Sequence, residues 1–206
     1  MLPSPSMTDE SELVTAWKRG DADAGESLIV QHYDAIVRFF RTKTDHGADD
    51  LVQKTFLVCA EKLETFSESV PFRAFLFGIA RNVLFEHIRA RSRDGRPDAA
   101  LGASSILDLS PGVNTLAFAR AEERLLVAAL QRIPLDLQLV LELHYWEELG
   151  IDELALALGI PSGTVKSRLF RARRTLKDVI ESIPSSEVER TGAHRLFASW
   201  ANGLRG

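Results

Sequence analysis

Apolar residues recur at three- and four-residue steps along almost the whole chain, and no stretch alternates as a half-buried strand does. The expected fold class is therefore all-α. Residues 11–19 read as a short first helix closed by Gly20, and Asp21 is placed to cap a second helix with Leu28, Ile36 and Phe39 on one face. A third runs over about 49–64, where Leu51, Val52, Thr55, Phe56, Val58, Cys59 and Leu63 form a wide apolar stripe. A fourth begins near Pro71 and passes through Phe75, Ile79, Val83 and His87 into Arg89, Arg91 and Arg93.

Between about 94 and 117 the texture changes to Gly, Pro, Ser and Asp, the composition of a linker. Helical pattern resumes over 119–133, breaks at Pro134, and continues over 135–147. Two further helices are expected at 151–158 and 162–183, separated by Gly159-Ile160-Pro161. The expected organisation is a tail at 1–10, a helical domain at 11–95, a flexible linker at 96–118, a second helical domain at 119–183 and an extension at 184–206. In that extension Val188, Leu196, Phe197, Trp200 and Leu204 fall at roughly helical spacing. They predict a short amphipathic helix able to cover the second domain, engage a regulator or pair between chains.

Composition narrows the class. At 206 residues, 45% hydrophobic and 26% charged, the chain is that of a soluble globular protein. One cysteine excludes an internal disulfide and a cysteine-rich zinc site. The start lacks a signal-peptide pattern and no apolar run spans a bilayer, so a cytoplasmic protein without membrane insertion is expected. The balance of 25 Lys plus Arg against 29 Asp plus Glu, a net −4, taken as an average opposes nucleic acid as a partner. That objection weakens once the charge is placed. Residues 161–177 hold six basic side chains and no acid, and 81–96 hold five arginines against Glu86 and Asp94, leaving the rest of the chain correspondingly acidic. Such a remainder disfavours wandering on free DNA.

The stretch from Ile151 to Lys166 has the grammar of a helix-turn-helix. Gly159 stands where a helix end needs positive φ, Ile160 plugs the turn, Ser162 is suited to N-capping, and small Ala155 permits close crossing. In the second helix Val165, Leu169, Ala172 and Leu176 share one face, which must turn inward. Lys166, Ser167, Phe170, Arg171 and Arg174 then face outward, flanked by Arg168, Arg173 and Lys177. A recognition helix needs this assortment: Arg for guanine, a hydroxyl for phosphate or base, an apolar group for a thymine methyl.

Three motifs in order, Asp49-Asp50-Leu51-Val52-Gln53-Lys54-Thr55-Phe56, then Phe72 to Asn82 with Arg73 and Phe75, then Gly163 to Arg173, closely resemble bacterial RNA polymerase sigma factors of the small extracytoplasmic-function (ECF) type. The resemblance covers roughly residues 12–179. It implies a transcription initiation factor whose first domain is sigma domain 2 and whose second is sigma domain 4. Asp49, Asp50, Leu51 and Gln53 resemble the face that docks on the β′ clamp helices of core polymerase, and the β flap is the implied partner of domain 4. Phe66, Ser67, Glu68 and Ser69, with Arg73, Asn82, His87 and Arg91, resemble the part that captures an extruded base of the −10 element and holds the melted strand. Lys166, Ser167, Arg168, Phe170, Arg171 and Arg174 match positions facing the −35 element. The chain departs from the common pattern at Ser67-Glu68-Ser69-Val70-Pro71, where many members carry Arg-Gly-acid, and at Phe75, where Trp is common. An anti-sigma partner is implied by the resemblance.

Other signals point nowhere. The five histidines, His32, His46, His87, His144 and His194, lack partners at metal-ligand spacing. No phosphate loop or nucleophile elbow occurs, so no catalytic group, metal or cofactor is expected. Glu147-Glu148 reads as solvated surface and Cys59 as a buried small hydrophobe. The competing function is a stand-alone helix-turn-helix regulator, which would need a sensor domain before the linker.

Overall fold

A computed structural model of the chain describes residues 7–44, 47–67, 69–93 and 120–203, and these contain helices and turns but no strand. The expected linker lies outside the described residues. Helix α1 is Met7–Lys18, α2 Ala22–Arg41, α3 Ala48–Lys62 and α4 Phe72–Arg93, with a 3-10 turn at Leu63–Thr65 between the last two. Helix α5 is Ala121–Leu130, α6 Leu135–Tyr145, α7 Ile151–Leu158, α8 Ser162–Ser182 and α9 Glu187–Gly203.

Local chemistry sets most boundaries. The Asp21 carboxylate accepts from the Asp23 and Ala24 amides at 3.0 and 3.2 Å, satisfying two orphan donors at the start of α2. Helix α1 begins at Met7, four residues before the expected start, because the polar run ahead of Ser11 continues the turn rather than breaking it. Gly159 takes φ +62° at the end of α7, and the Ile160 amide donates back to the Ala155 carbonyl at 3.0 Å. Ser162 is not the N-cap of α8. Pro161 holds that position, and Ser162, the first helical residue, donates its hydroxyl to the Asp152 carboxylate at 2.7 Å, tying the two helices of the motif together.

Helices α1 to α4 bury Leu28, Ile36, Phe39, Phe40, Cys59, Leu76, Phe77 and Leu84 in one core. Cys59 is fully buried, and burial pushes its thiol up to about 12, so it packs as a small hydrophobe. The second half is organised on α6. Leu135, Leu137, Leu139, Val140, Leu141 and Leu143 are all buried, so this helix is enclosed on every side rather than half-exposed. Val165, Leu169, Ala172 and Leu176 of α8 turn inward on it as their spacing predicted. Helix α9 packs on α5 and α8, with Ala193 buried and Phe197 edge-on to Tyr145 at 5.6 Å. Of the roles open to the extension, it takes the one of covering the second helical unit, as a helix of 17 residues.

The two helical units share one contiguous core, with α4 lying along α7. Close approach is possible because residue 78 is glycine: a Cβ built there would sit 3.5 Å from the Ala157 carbonyl oxygen and 3.7 Å from its Cα. Ala157 makes this contact from α7.

Candidate DNA and polymerase interfaces

Helix α8 presents its outer face as the periodicity requires. Lys166, Ser167, Phe170, Arg171 and Arg174 are exposed, and Phe170 is 69% exposed although large and apolar. Leu169, one residue earlier, is 2% exposed. The Ser167 hydroxyl rests on the Thr164 carbonyl at 2.9 Å. Two of the flanking arginines are held: Arg168 lies 3.7 Å from the Asp136 carboxylate, and Arg173 donates to the Tyr145 hydroxyl at 2.5 Å with its guanidinium over that ring. What remains outward is a one-signed surface with a single apolar knob, suited to a groove lined by phosphates and base edges.

The loop before α4 divides its residues differently from the expectation. Phe66 is 6% exposed and packs on Phe75 at 4.8 Å and edge-on to Phe72 at 5.9 Å, while the Lys18 ammonium lies over its ring and donates to its carbonyl at 2.6 Å. Its ring is core in this conformation and not available to stack a base. Ser67 and Ser69 are exposed, their hydroxyls 2.7 Å apart, and they are the loop groups that meet solvent. Glu68 lies outside the described residues. Asn82 and Arg91 are exposed on α4, and Arg81 stacks on Phe85 at 4.8 Å. Burial, then the charges of Arg168 and Arg89, hold the Arg81 guanidinium below its usual range, so cations of α4 and α8 face each other. His87 is half-buried with no partner for Nε2 within the described residues. Burial, then Arg91 and Lys54, lowers its pKa.

Arg73 is partly exposed and turned toward the second helical unit, donating to the Glu148 carbonyl at 3.5 Å and lying 3.9 Å from the Glu153 carboxylate. It borders a cleft of about 660 Å³ between the two units, also lined by Glu10, His32, Ser69, Phe72 and Glu147. Within it His32 meets Glu10 at 2.8 Å. His144 contacts the Leu149 carbonyl and His194 the Glu181 carboxylate; no group of three His, Cys, Asp or Glu able to hold a metal occurs among the described residues.

On α3, Asp49, Asp50 and Gln53 are exposed, whereas Leu51 is buried and supports that face from beneath. Leu57, which is no part of the stripe read from the sequence, is 65% exposed. It stands four residues after Gln53 and seven after Asp50, so it extends the same outward face and was missed as a candidate contact, though the heptad step was visible. Glu147 also departs from the expectation of solvated surface. It is mostly buried, takes two hydrogen bonds from Arg38 at 2.9 and 3.1 Å, and burial raises its pKa against the pull of that arginine. Glu148 is exposed, at φ +55°.

A helix-turn-helix with an exposed, one-signed second helix, joined to a helical unit carrying its own basic helix and a polar loop, defines a two-part DNA-binding protein. Comparison gives the family. Sigma-70 region 2 matches residues 28–94 and the sigma-70 region 4 family matches residues 123–176, together more than half of the chain. The chain is 27% identical over 187 residues to the RNA polymerase sigma-H factor of Pseudomonas aeruginosa, covering 84% of this chain and 95% of that one. It is 26% identical over 186 residues to the ECF RNA polymerase sigma-E factor of Haemophilus influenzae, covering 86% and 97%. Among solved structures, CnrH in complex with the cytosolic domain of CnrY has a TM-score of 0.62 at 24% identity over 84% of this chain and 98% of that one. The sigma factor RpoE in complex with the anti-sigma factor NepR from Bartonella quintana has a TM-score of 0.57 at 22% identity, covering 76% and 96%. The chain belongs to the sigma-70 family, as a factor of the ECF type.

Proposed function

We infer that this chain directs core RNA polymerase to specific promoters, with domain 2 (residues 11–95) and domain 4 (residues 119–183) as its working parts. The observation that carries this is the outward face of α8, where Lys166, Ser167, Phe170, Arg171 and Arg174 stand exposed with no acid among them. In this reading they contact the −35 element, with Arg168 at the edge. Ser67, Glu68, Ser69, Arg73, Asn82, His87 and Arg91 line the path of the −10 strand, and Phe66 reaches a base only if the loop rearranges. The α3 face of Asp49, Asp50 and Gln53, with Leu57 added, docks on the β′ clamp helices, and domain 4 meets the β flap. The factor performs no chemistry itself; phosphodiester formation belongs to the polymerase. It works in the cytoplasm, in keeping with the lack, among the described residues, of a helix long and apolar enough to cross a membrane. An anti-sigma factor regulates it, as the complexes of its structural relatives support.

Transcription in vitro with purified core enzyme on promoters mapped after induced expression tests this. Initiation dependent on the added factor is expected. A chain that neither binds core nor supports initiation, with inhibitors absent, refutes it. Tight operator binding without polymerase would favour a stand-alone regulator instead.

A further inference from the structure

Helix α9 lies beyond the region 4 match, which ends at residue 176, yet it is tied to the helix that faces DNA. Its start is fixed by a capping box, in which the Glu189 carboxylate accepts from the Ser186 amide at 2.7 Å and the Ser186 hydroxyl accepts from the Glu189 amide at 3.2 Å. Next, Glu181 of α8 meets His194 at 2.7 Å and Arg190 at 3.9 Å. Further along, the half-buried Phe197 reaches in beside Leu130, Leu141 and Trp146 and sets its ring edge-on to Tyr145 of α6, 5.6 Å away at 81°. Tyr145 is buried, and its hydroxyl accepts from Nε of Arg173 at 2.5 Å while the guanidinium lies over the ring. A line of contacts thus runs from the C-terminal extension to a cation of α8.

That cation stands on the outward face. Three residues of α-helix turn about 300°, so Arg173 lies about 60° around from Phe170, as near the centre of the face as Ser167 on the other side. It is exposed. The partner that holds it matters. Arg168 is faced by the Asp136 carboxylate, which offsets its charge, whereas a tyrosine hydroxyl is neutral and leaves the charge of Arg173 whole. Only Nε is spent on Tyr145; among the described residues the two Nη groups make no hydrogen bond. An arginine with its stem fixed and its forked end free suits a phosphate, and phosphate contacts set the register of a helix on the groove.

We propose that Arg173 grips a backbone phosphate beside the −35 groove, and that Phe197 of α9, acting through Tyr145, holds it ready to do so. Tyr145 and Phe197 are positioning residues, and the C-terminal helix is part of the promoter-reading apparatus. This rests on the sigma-factor reading, and the test separates the two. Loss of Arg173 weakens binding on every sequence alike, because a phosphate carries no sequence information, whereas loss of Phe170 or Arg171 acts through particular bases.

Promoter binding by the full chain assembled with core polymerase, titrated across salt, tests this. Arg173→Ala is expected to weaken binding about tenfold or more, equally on promoters with intact and altered −35 elements. The slope of log affinity against log salt should become shallower by about 0.9, the share of one phosphate. Tyr145→Phe, which keeps the ring and removes the acceptor, and Phe197→Ala should each weaken binding about 2- to 10-fold, the cost of ordering one long side chain on binding. In an Arg173→Ala background both are expected to have no further effect, which separates positioning from a general loss of packing. A loss from either that persists without Arg173, or a salt slope unmoved by Arg173→Ala, overturns the proposal. Should Phe197→Ala unfold, Tyr145→Phe decides. Should the wild-type chain fail to load polymerase on any promoter, the sigma reading fails instead; the same variants on duplex DNA at low salt, with the chain alone, then decide the phosphate contact, and absence of duplex binding there overturns it.

Discussion

Two adjacent residues of α8 separate folding from reading. Leu169 is 2% exposed and Phe170 69% exposed, so the same truncation to Ala tests opposite functions one peptide bond apart. Leu169→Ala removes three buried carbons, ~2.4 kcal/mol at about 0.8 per carbon, before the cavity left against α6 is counted. With that term the loss is about 3–4 kcal/mol. Phe170→Ala removes a ring that meets solvent, so stability is expected to change by less than about 0.5 kcal/mol. Its effect belongs to the DNA: an apolar contact with a thymine methyl and its neighbours is worth about 1–3 kcal/mol, or roughly 5- to 150-fold in promoter use. Urea denaturation gives the first pair of numbers. Run-off transcription from a −35 element and from variants with each thymine replaced gives the second. A Phe170→Ala chain that transcribes like wild type, or that is destabilised as much as Leu169→Ala, refutes the assignment of faces.

Other consequences follow from single contacts. Leu57→Ser should leave folding intact and weaken core binding about 5- to 30-fold, as loss of an apolar group about two-thirds exposed in the free chain requires; unchanged affinity in a competition assay would remove Leu57 from the docking face. Gly192→Ala places a Cβ 2.8 Å from the Glu122 Cβ, so overpacking of about 1–3 kcal/mol should outweigh the helix-propensity gain of roughly 1 kcal/mol and loosen α9 from α5. Faster amide exchange over 187–203 would register it, and protection equal to wild type would count against the contact. His87 has a lowered pKa, so below its ordinary value near 6.5 the unfolded chain takes up a proton that the folded chain refuses. Its contribution to stability is therefore full above that pH and lost as pH falls toward the lowered value; His87→Gln should flatten the dependence of denaturation midpoint on pH, and an unchanged slope would show that His87 is not its source.

Much of this architecture is legible locally. The helix-turn-helix can be read because Gly159, Ile160 and the inward spacing of Val165, Leu169, Ala172 and Leu176 each have one structural use. Leu57 was legible too, since it shares a heptad step with Asp50. Phe66 is ambiguous by nature: an aromatic at the edge of a loop serves a core or a base equally well, and only the positions of Phe72 and Phe75 decide. Ser162 misled because a hydroxyl before a helix has two good uses, and Asp152 supplies the other.

The buried pair of Lys43 with Glu142 of α6, which joins the two helical units, is where local reading fails, for a physical reason. Lys43 and Glu142 lie 99 residues apart, and neither looks unusual beside its neighbours. One trace of their meeting is nevertheless present in the chain. Helix α6 carries leucines on every side with the polar Gln138 and Glu142 buried among them, and a helix covered on one side by its own small domain has no use for either. Such a helix needs a second neighbour, and the segment just after α2 supplies it through Thr42 and Lys43.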